Sequence, residues 1–186
     1  MAMRAGAERL YSVEEFEKLP EFDNGYELLE GRLVKLPLTH INHGRIIRRL
    51  IVAYYNFDPK EQIGEMLTGE VNVRLSDNHA PAPDIAFWKR ENKPADSLGA
   101  APRPDMVAEV WSSSDWEHPT QARAKAKRYI EAGVLLVWLI NPKQQNAEVY
   151  RPGQPVVTIG EQGELDGGEV IPGFSVSLVP LFENRG

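Results

Sequence analysis

Two apolar runs decide the fold of this chain: Met106-Val107-Ala108-Glu109-Val110-Trp111 and Val134-Leu135-Leu136-Val137-Trp138-Leu139-Ile140. The second run is uniformly apolar, which is typical of a central strand covered on both faces. Between them, residues 119–132 predict a long helix that begins at a proline and is ended by Gly133. Two strands separated by a helix predict a sheet with helical cover.

Further elements are predicted on both sides of this unit. A short helix with a capping box follows Ser12, and Glu30-Gly31 is typical of a tight hairpin turn. The other predicted elements are a hairpin at 26–36, a helix at 39–55, strands at 70–75 and 84–88, a surface loop at 90–104, and short strands at 147–150, 156–159 and 170 with 174–178. The last three should extend the sheet or its edge.

Length and element order indicate one mixed α/β (α+β) domain. A chain of 186 residues fits a single core, and no linker or repeat divides it. We expect this domain to span residues 1–186, with its core at about 24–182 and flexible ends at 1–11 and 183–186.

Composition restricts the chemistry and the compartment. The absence of cysteine excludes thiolate zinc sites and cysteine nucleophiles and suits a reducing cytoplasm. The first residues lack the apolar run of a signal peptide, and no segment approaches the ~20 apolar residues of a membrane span, so we expect a cytoplasmic protein with no membrane partner. A net charge of -6 means that any DNA contact needs a local basic surface.

Two carboxylates on neighbouring predicted strands, Asp84 and Glu109, are the candidate metal ligands. A hard divalent cation needs oxygen ligands on a rigid sheet, and the backbone carbonyl of Val110 would lie near the same ion. Glu109 interrupts an apolar strand, where a buried charge requires a partner, either a metal or an Arg or Lys cation. Asp84 follows Pro83 and could instead be a turn residue.

Two predicted helices carry clusters of basic residues. At about 100° per residue, Lys125 and Arg123 lie on opposite flanks of the buried face of helix 119–132, so angle alone does not choose between them. A cation there could stabilise charge that develops at a phosphate. The candidate DNA contacts, which could also be solvated helix faces, are Arg45, Arg48, Arg49, Arg123, Lys127 and Arg128.

Two further residues carry weaker signals. Glu27, on the first strand of the hairpin, could face a site or water. His43, near the start of helix 39–55, is a possible auxiliary residue, although a lone histidine is more often structural. The spacing of the other three histidines does not suit a three-ligand zinc site.

Several short motifs occur in a specific order, although none is specific alone. They are Tyr26-Glu27-Leu28-Leu29-Glu30-Gly31, His43, Pro83-Asp84-Ile85-Ala86-Phe87, Glu109-Val110-Trp111-Ser112-Ser113-Ser114-Asp115, Lys125 with Tyr129, Gly133-Val134 and Trp138-Leu139-Ile140-Asn141-Pro142. From about residue 26 to 182 the chain resembles the Uma-type putative restriction endonuclease family, formerly a domain of unknown function, in the PD-(D/E)xK nuclease superfamily.

The resemblance implies a restriction-endonuclease-like mixed β-sheet flanked by helices, with an N-terminal hairpin and extra C-terminal strands. It also implies Mg²⁺-dependent or Mn²⁺-dependent cleavage of DNA, and frequent homodimers. By position, Asp84 and Glu109 would bind the metal with the Val110 carbonyl. Glu27 would be an auxiliary acid, and Lys125 would be the displaced lysine of the superfamily motif.

Two positions depart from the expected pattern. Trp111 stands where the superfamily places lysine, although this family commonly has an apolar residue there. Ser113 stands where the family often has proline. Neither departure removes a proposed metal ligand.

The sequence supports three functional hypotheses. The first is a Mg²⁺-dependent DNA endonuclease that hydrolyses phosphodiester bonds with metal-activated water. The second is a catalytically inactive nuclease-fold protein that binds DNA or assembles, which the missing lysine at position 111 permits. The third is a Mg²⁺ hydrolase of small phosphate esters, which the net negative charge suits better than it suits DNA.

Overall fold

The structure, a computed structural model, describes residues 9–37, 39–69 and 71–183. Residues 1–8 and 184–186 of the predicted flexible ends, and Glu70 of a predicted strand, lie outside the described residues. The helices are α1 (Val13–Phe16), α2 (Ile41–Phe57), α3 (Ser113–Glu117), α4 (Pro119–Glu131) and α5 (Leu178–Phe182), with short 3-10 turns at Pro20–Asp23 and Arg90–Asn92. The strands are β1 (Tyr26–Leu29), β2 (Arg32–Lys35), β3 (Gly64–Thr68), β4 (Ile85–Lys89), β5 (Met106–Val110), β6 (Leu136–Asn141), β7 (Asn146–Tyr150), β8 (Val157–Ile159), β9 (Glu164–Asp166) and β10 (Ser175–Ser177).

A six-stranded sheet in the order β3-β4-β5-β6-β7-β8 forms the centre of the protein. The pair β5 and β6 is parallel, and the four other pairs of this sheet are antiparallel. The hairpin β1–β2 and the pair β9–β10 form separate two-stranded sheets. The mixed fold is therefore confirmed, and β7 and β8 extend the sheet as predicted, whereas the strand predicted at 174–178 does not join it.

The two faces of the sheet pack against different helices. Ile46, Leu50 and Tyr54 of α2, together with α5, cover one face, which we call the α2 layer. The buried face of α4 covers the other, which we call the α4 layer, and it includes Ala122, Ala126 and Tyr129. Every residue of β6 is buried between these layers, as the apolar run that supplies all of it except Asn141 predicts.

The β1–β2 hairpin turns at the predicted Glu30-Gly31. Both residues have positive φ, 51° and 80°, which matches the twist of a tight hairpin turn. A bridge between Leu28 and Ala80 and a 2.7 Å hydrogen bond from the Gly31 N–H to the Asn78 carbonyl join the hairpin to the segment before β4. The hairpin is thereby fixed beside the main sheet.

The prediction of a strand at 70–75 is wrong for residues 71–75, the part that the structure describes. Val73 makes only an isolated bridge to Ala101, because its N–H donates to the Pro81 carbonyl and the Leu75 N–H donates to a neighbouring turn. The edge strand is β3 instead. Across the described part of the chain, no helix combines the length and apolar character needed to cross a membrane.

Candidate functional site

A cleft of about 850 Å³ opens between the β1–β2 hairpin, the start of α2, and α4. It brings together six of the residues that the sequence predicts for a site. They are Glu27, His43, Asp84, Glu109, Val110 and Lys125. Five sequence segments, separated by up to about a hundred positions, therefore meet at one end of the sheet.

Asp84 is held by two elements of the fold. Its Oδ2 accepts a 2.7 Å hydrogen bond from the Val110 N–H and lies 3.0 Å from Nε2 of His43. Oδ1 accepts no hydrogen bond from the described residues. Burial opposes protonation of His43, but the hydrogen bond to Asp84 and the nearby negative charge raise its pKa overall. The histidine therefore fixes one oxygen of the carboxylate and leaves the other for a ligand.

Glu109 is a nearly buried carboxyl group on β5. The hydroxyl of Tyr129 donates to its Oε1 at 2.7 Å, and the ammonium of Lys125 lies 3.1 Å from the same oxygen. Burial raises the pKa of Glu109 to about 7, with repulsion from Asp84 adding to the rise while Lys125 and Tyr129 oppose it. The sequence left open whether the partner of Glu109 is a metal or a basic side chain. The structure places a lysine beside it, and the carboxyl group can still offer oxygen to a metal.

Lys125 bridges two carboxylates across the cleft. Its Nζ lies 3.1 Å from Glu109 and 3.4 Å from Glu27, which also accepts a hydrogen bond from the Ala82 N–H. Burial disfavours the charged ammonium, but Glu109, Glu27 and Asp84 outweigh it and raise the pKa of Lys125 above its ordinary value. The lysine is therefore a fixed positive charge.

The structure shows which of the two candidates, Lys125 and Arg123, lies beside the acids of the cleft. The guanidinium of Arg123 binds Glu148 on β7 with contacts of 2.7 and 2.8 Å and stacks over the Trp111 ring. It is thus held away from the acids of the cleft. Angle alone left the two residues equivalent, and the position of Glu148 distinguishes them.

The other candidate DNA contacts differ in how they are held. Arg49 donates to the carbonyls of Leu181 and Glu183 and fixes the end of α5, while Arg128 forms a 2.8 Å ion pair with Glu30 at the cleft. A single 3.1 Å hydrogen bond joins Arg45 to Asn42. Arg48 and Lys127 are exposed on their helices.

Sequence reasoning missed two residues, Tyr129 beside Glu109 and His79 in the cleft. Tyr129 entered the sequence analysis only as part of a motif with Lys125, although its position four residues after Lys125 on one helix face could have indicated a shared partner. His79 lines the cleft with its Nδ1 3.2 Å from the Glu30 N–H. No sequence pattern predicts that contact, because it depends on the turn that precedes β4.

The donor set at Asp84 and Glu109 fits a hard divalent cation. Both side chains offer oxygen, their mutual repulsion contributes to the raised pKa of Glu109, and a cation would relieve that repulsion. Within residues 9–37, 39–69 and 71–183, no group of three or more His, Asp or Glu side chains has metal-binding spacing. Magnesium commonly binds through one or two carboxylates and keeps several waters, so this set is sufficient for it.

The mixed sheet, its flanking helices and its hairpin define the class: this is a restriction-endonuclease-like fold. A family match extends over residues 13–179 and carries the description "Putative restriction endonuclease". The chain therefore belongs to the Uma2 family.

A solved structure supports the same fold. It is the crystal structure of a putative nuclease belonging to DUF820 from Anabaena variabilis, which superimposes with a TM-score of 0.78 at 22% sequence identity. The similarity covers 92% of this chain and 97% of that chain. Among proteins with curated descriptions, none matches this chain.

Proposed function

We propose that this protein is a Mg²⁺-dependent DNA endonuclease that hydrolyses phosphodiester bonds. The observation that carries the proposal is the convergence of two oxygen donors, Asp84 and Glu109, with a fixed lysine ammonium in one cleft. Membership of a nuclease family supports it. A metal ion beside a positive charge can activate water and stabilise the charge that develops during phosphodiester hydrolysis.

In this proposal Asp84, Glu109 and the Val110 carbonyl would hold Mg²⁺ or Mn²⁺. The ion, when bound, supplies Lewis-acid activation of water and neutralises phosphate charge. Lys125 donates a hydrogen bond to the attacking water or to a phosphate oxygen and offsets negative charge that develops there. Glu27 aims the ammonium through their 3.4 Å contact. His43 orients Asp84.

DNA would approach through basic residues on the surface and beside the cleft. Arg48 and Lys127 are exposed, and Arg128 lies at the cleft, where a phosphate could replace Glu30 as its partner. With a net charge of -6, these local contacts work against repulsion from the rest of the protein. Binding should therefore weaken steeply as salt concentration rises.

Cleavage of supercoiled plasmid with Mg²⁺ or Mn²⁺ tests the activity directly. We expect nicked or linear product from the wild type, none in EDTA, and a loss of at least about a hundredfold in Asp84→Ala. The matched control is Asp96→Ala, which removes an exposed loop carboxylate that does not line the cleft. Cleavage that survives Asp84→Ala would show that another site, or a contaminant, is responsible.

A non-cleaving DNA-binding or assembly protein is the second candidate. One observation favours it: in the described residues no cluster of three potential metal ligands is assembled. Titration calorimetry distinguishes the candidates. Mg²⁺ binding to the wild type but not to Glu109→Ala supports the enzyme, whereas DNA affinity that persists in EDTA, without metal binding, supports the module.

We further propose that the chain acts as a single-domain, cytoplasmic homodimer. The dimer is the usual assembly that the family resemblance implies, and the absence of cysteine suits the cytoplasm. Sedimentation velocity should give about twice the 20.9 kDa chain mass. Limited proteolysis should leave one stable fragment that retains residues 24–182.

A further inference from the structure

His79 lines the same cleft as Lys125, and the hydrolysis proposed above does not use it. Its backbone is fixed on both sides. The Leu75 N–H donates to the His79 carbonyl at 2.9 Å, and the next residue, Ala80, pairs with Leu28 of the hairpin. The imidazole is therefore presented by a turn that is tied to the hairpin.

One hydrogen bond defines the roles of the two ring nitrogens of His79. The Glu30 N–H donates to Nδ1 of His79 at 3.2 Å, so Nδ1 must carry its lone pair. Burial, with Arg128 and Lys125 nearby, lowers the pKa of His79 despite the opposing charges of Glu27 and Glu30. With Nδ1 accepting this hydrogen bond, the ring proton belongs on Nε2.

The Nε2–H is an available donor. No described residue accepts a hydrogen bond from it, and it is not one of the buried polar atoms that lack a partner, so it remains accessible. The cations Lys125 and Arg128 are already paired with Glu27 and Glu30. Unlike Lys125 and Arg128, His79 is therefore a donor that is not paired with a carboxylate.

We propose that His79 is a substrate-binding residue, whose Nε2–H donates to a phosphate oxygen of the DNA strand in the cleft. N–H contacts to phosphate fix the position of a strand without reading its sequence. This inference rests on the proposed function, because it requires DNA to enter the cleft. Its consequence is that the hairpin, through the Glu30 N–H, sets the position of the strand relative to Asp84 and Glu109.

Two substitutions separate substrate binding from a structural role. In His79→Asn, the amide oxygen can still accept from the Glu30 N–H, but no donor reaches the cleft. In His79→Gln, the longer amide can place an N–H near the position of Nε2. A purely structural histidine predicts that Asn is the better replacement, whereas phosphate binding predicts that Gln is.

The measurement is the dissociation constant for a labelled oligonucleotide, with Ca²⁺ in place of Mg²⁺ to prevent cleavage. We expect His79→Asn to bind roughly tenfold more weakly than the wild type and His79→Gln to stay within about threefold. Thermal unfolding of each variant reports on folding. Wild-type affinity in a folded His79→Asn would overturn the proposal.

A measurement on the wild type does not depend on either variant folding. In an imidazole ¹H–¹⁵N spectrum, adding the oligonucleotide should shift Nε2 of His79 and leave Nδ1 nearly unchanged. Oligonucleotide binding without a shift at Nε2 contradicts the proposal and leaves the nuclease assignment intact. A wild type that binds no oligonucleotide overturns both.

Discussion

Alternate residues of β5 lie on opposite faces of the strand, and the two faces have different surroundings. Met106, Ala108 and Val110 are buried among apolar side chains of the α2 layer. Val107 and Glu109 face the α4 layer, where the carboxyl group meets a lysine and a tyrosine. Because strand side chains alternate, one strand serves both a stabilising core and a candidate site.

The two faces of β5 also differ in what they contribute to stability. Burying apolar surface in the α2 layer stabilises the protein by about 25 cal/mol per Å². Burying Glu109 at 13% side-chain exposure raises its pKa to about 7, which means that its charged form is disfavoured in the folded protein. The α4 layer therefore holds a group whose charge a bound cation would restore.

The largest expected effect lies on the apolar face. Met106 is completely buried, so Met106→Ala should lower the free energy of unfolding by about 3 to 4 kcal/mol through lost packing and a cavity. Leu98→Ala, at a side chain 97% exposed, is the control and should change it by less than about 0.5 kcal/mol. Chemical denaturation checks both. Equal losses in the two variants would remove the contrast between core and surface.

Breaking the ion pairs of the α4 layer should have the next largest effect. Lys125→Met leaves Glu109 and Glu27 without their cation, and we expect a loss of about 2 to 3 kcal/mol, below the full cost of a buried pair because the lysine is 29% exposed. Lys127→Met, two residues along the same helix and exposed, is the matched control. A stability gain in Lys125→Met would show that repulsion among the acids does not matter here.

The pH dependence of stability distinguishes the two faces directly. Because the folded pKa of Glu109, about 7, exceeds its ordinary value of 4.5, the unfolded chain loses this proton first as pH rises. Glu109 should therefore contribute a fall in stability of roughly 2 kcal/mol between pH 4.5 and pH 7, and Glu109→Gln should lack that contribution. Unfolding curves across this range, with Glu117→Gln as the exposed control, measure it. A wild-type profile that matches Glu109→Gln contradicts the raised pKa.

The smallest effect should come from one hydroxyl group. Tyr129→Phe keeps the ring but removes the 2.7 Å hydrogen bond to Glu109, at a cost of about 1 kcal/mol. Because that bond favours the carboxylate, the pKa of Glu109 should rise further. Carbon-13 titration of the Glu109 carboxyl group measures the change, and Tyr150→Phe, whose hydroxyl contacts Glu148 instead, should leave it unaltered. An unchanged pKa in Tyr129→Phe would argue against the hydrogen bond.

Part of the fold could be predicted because the local signals agree with the tertiary structure. The apolar residues of β6, the Glu30-Gly31 turn and the buried face of α4 all follow from patterns within a few residues. The edge strand β3 could not be predicted from such patterns. Its Gly64 packs so closely on β4 that an added Cβ would lie 2.2 Å from the Trp88 carbonyl, so the position requires a residue with poor strand propensity.

The residues of the candidate site likewise divide into those that could be predicted from the sequence and those that could not. Glu109 was detectable because it breaks an apolar strand, and Asp84 because it lies beside the neighbouring one. The choice of Lys125 over Arg123 depends on Glu148, which lies on β7. His79 depends on a contact between a turn and a hairpin 49 positions apart. Such contacts are properties of the assembled chain.

The distance along the chain between Glu27 and Lys125 has a consequence during protein synthesis. These residues are 98 positions apart, and the acids at 27, 84 and 109 all precede the lysine. A nascent chain therefore presents every acid of the cleft before α4 exists to supply its cation. Because domains fold as units once enough of the chain has been made, the cleft can close only after α4 and β6 have left the ribosome. Translation products that stop before α4 would carry the acids without the lysine.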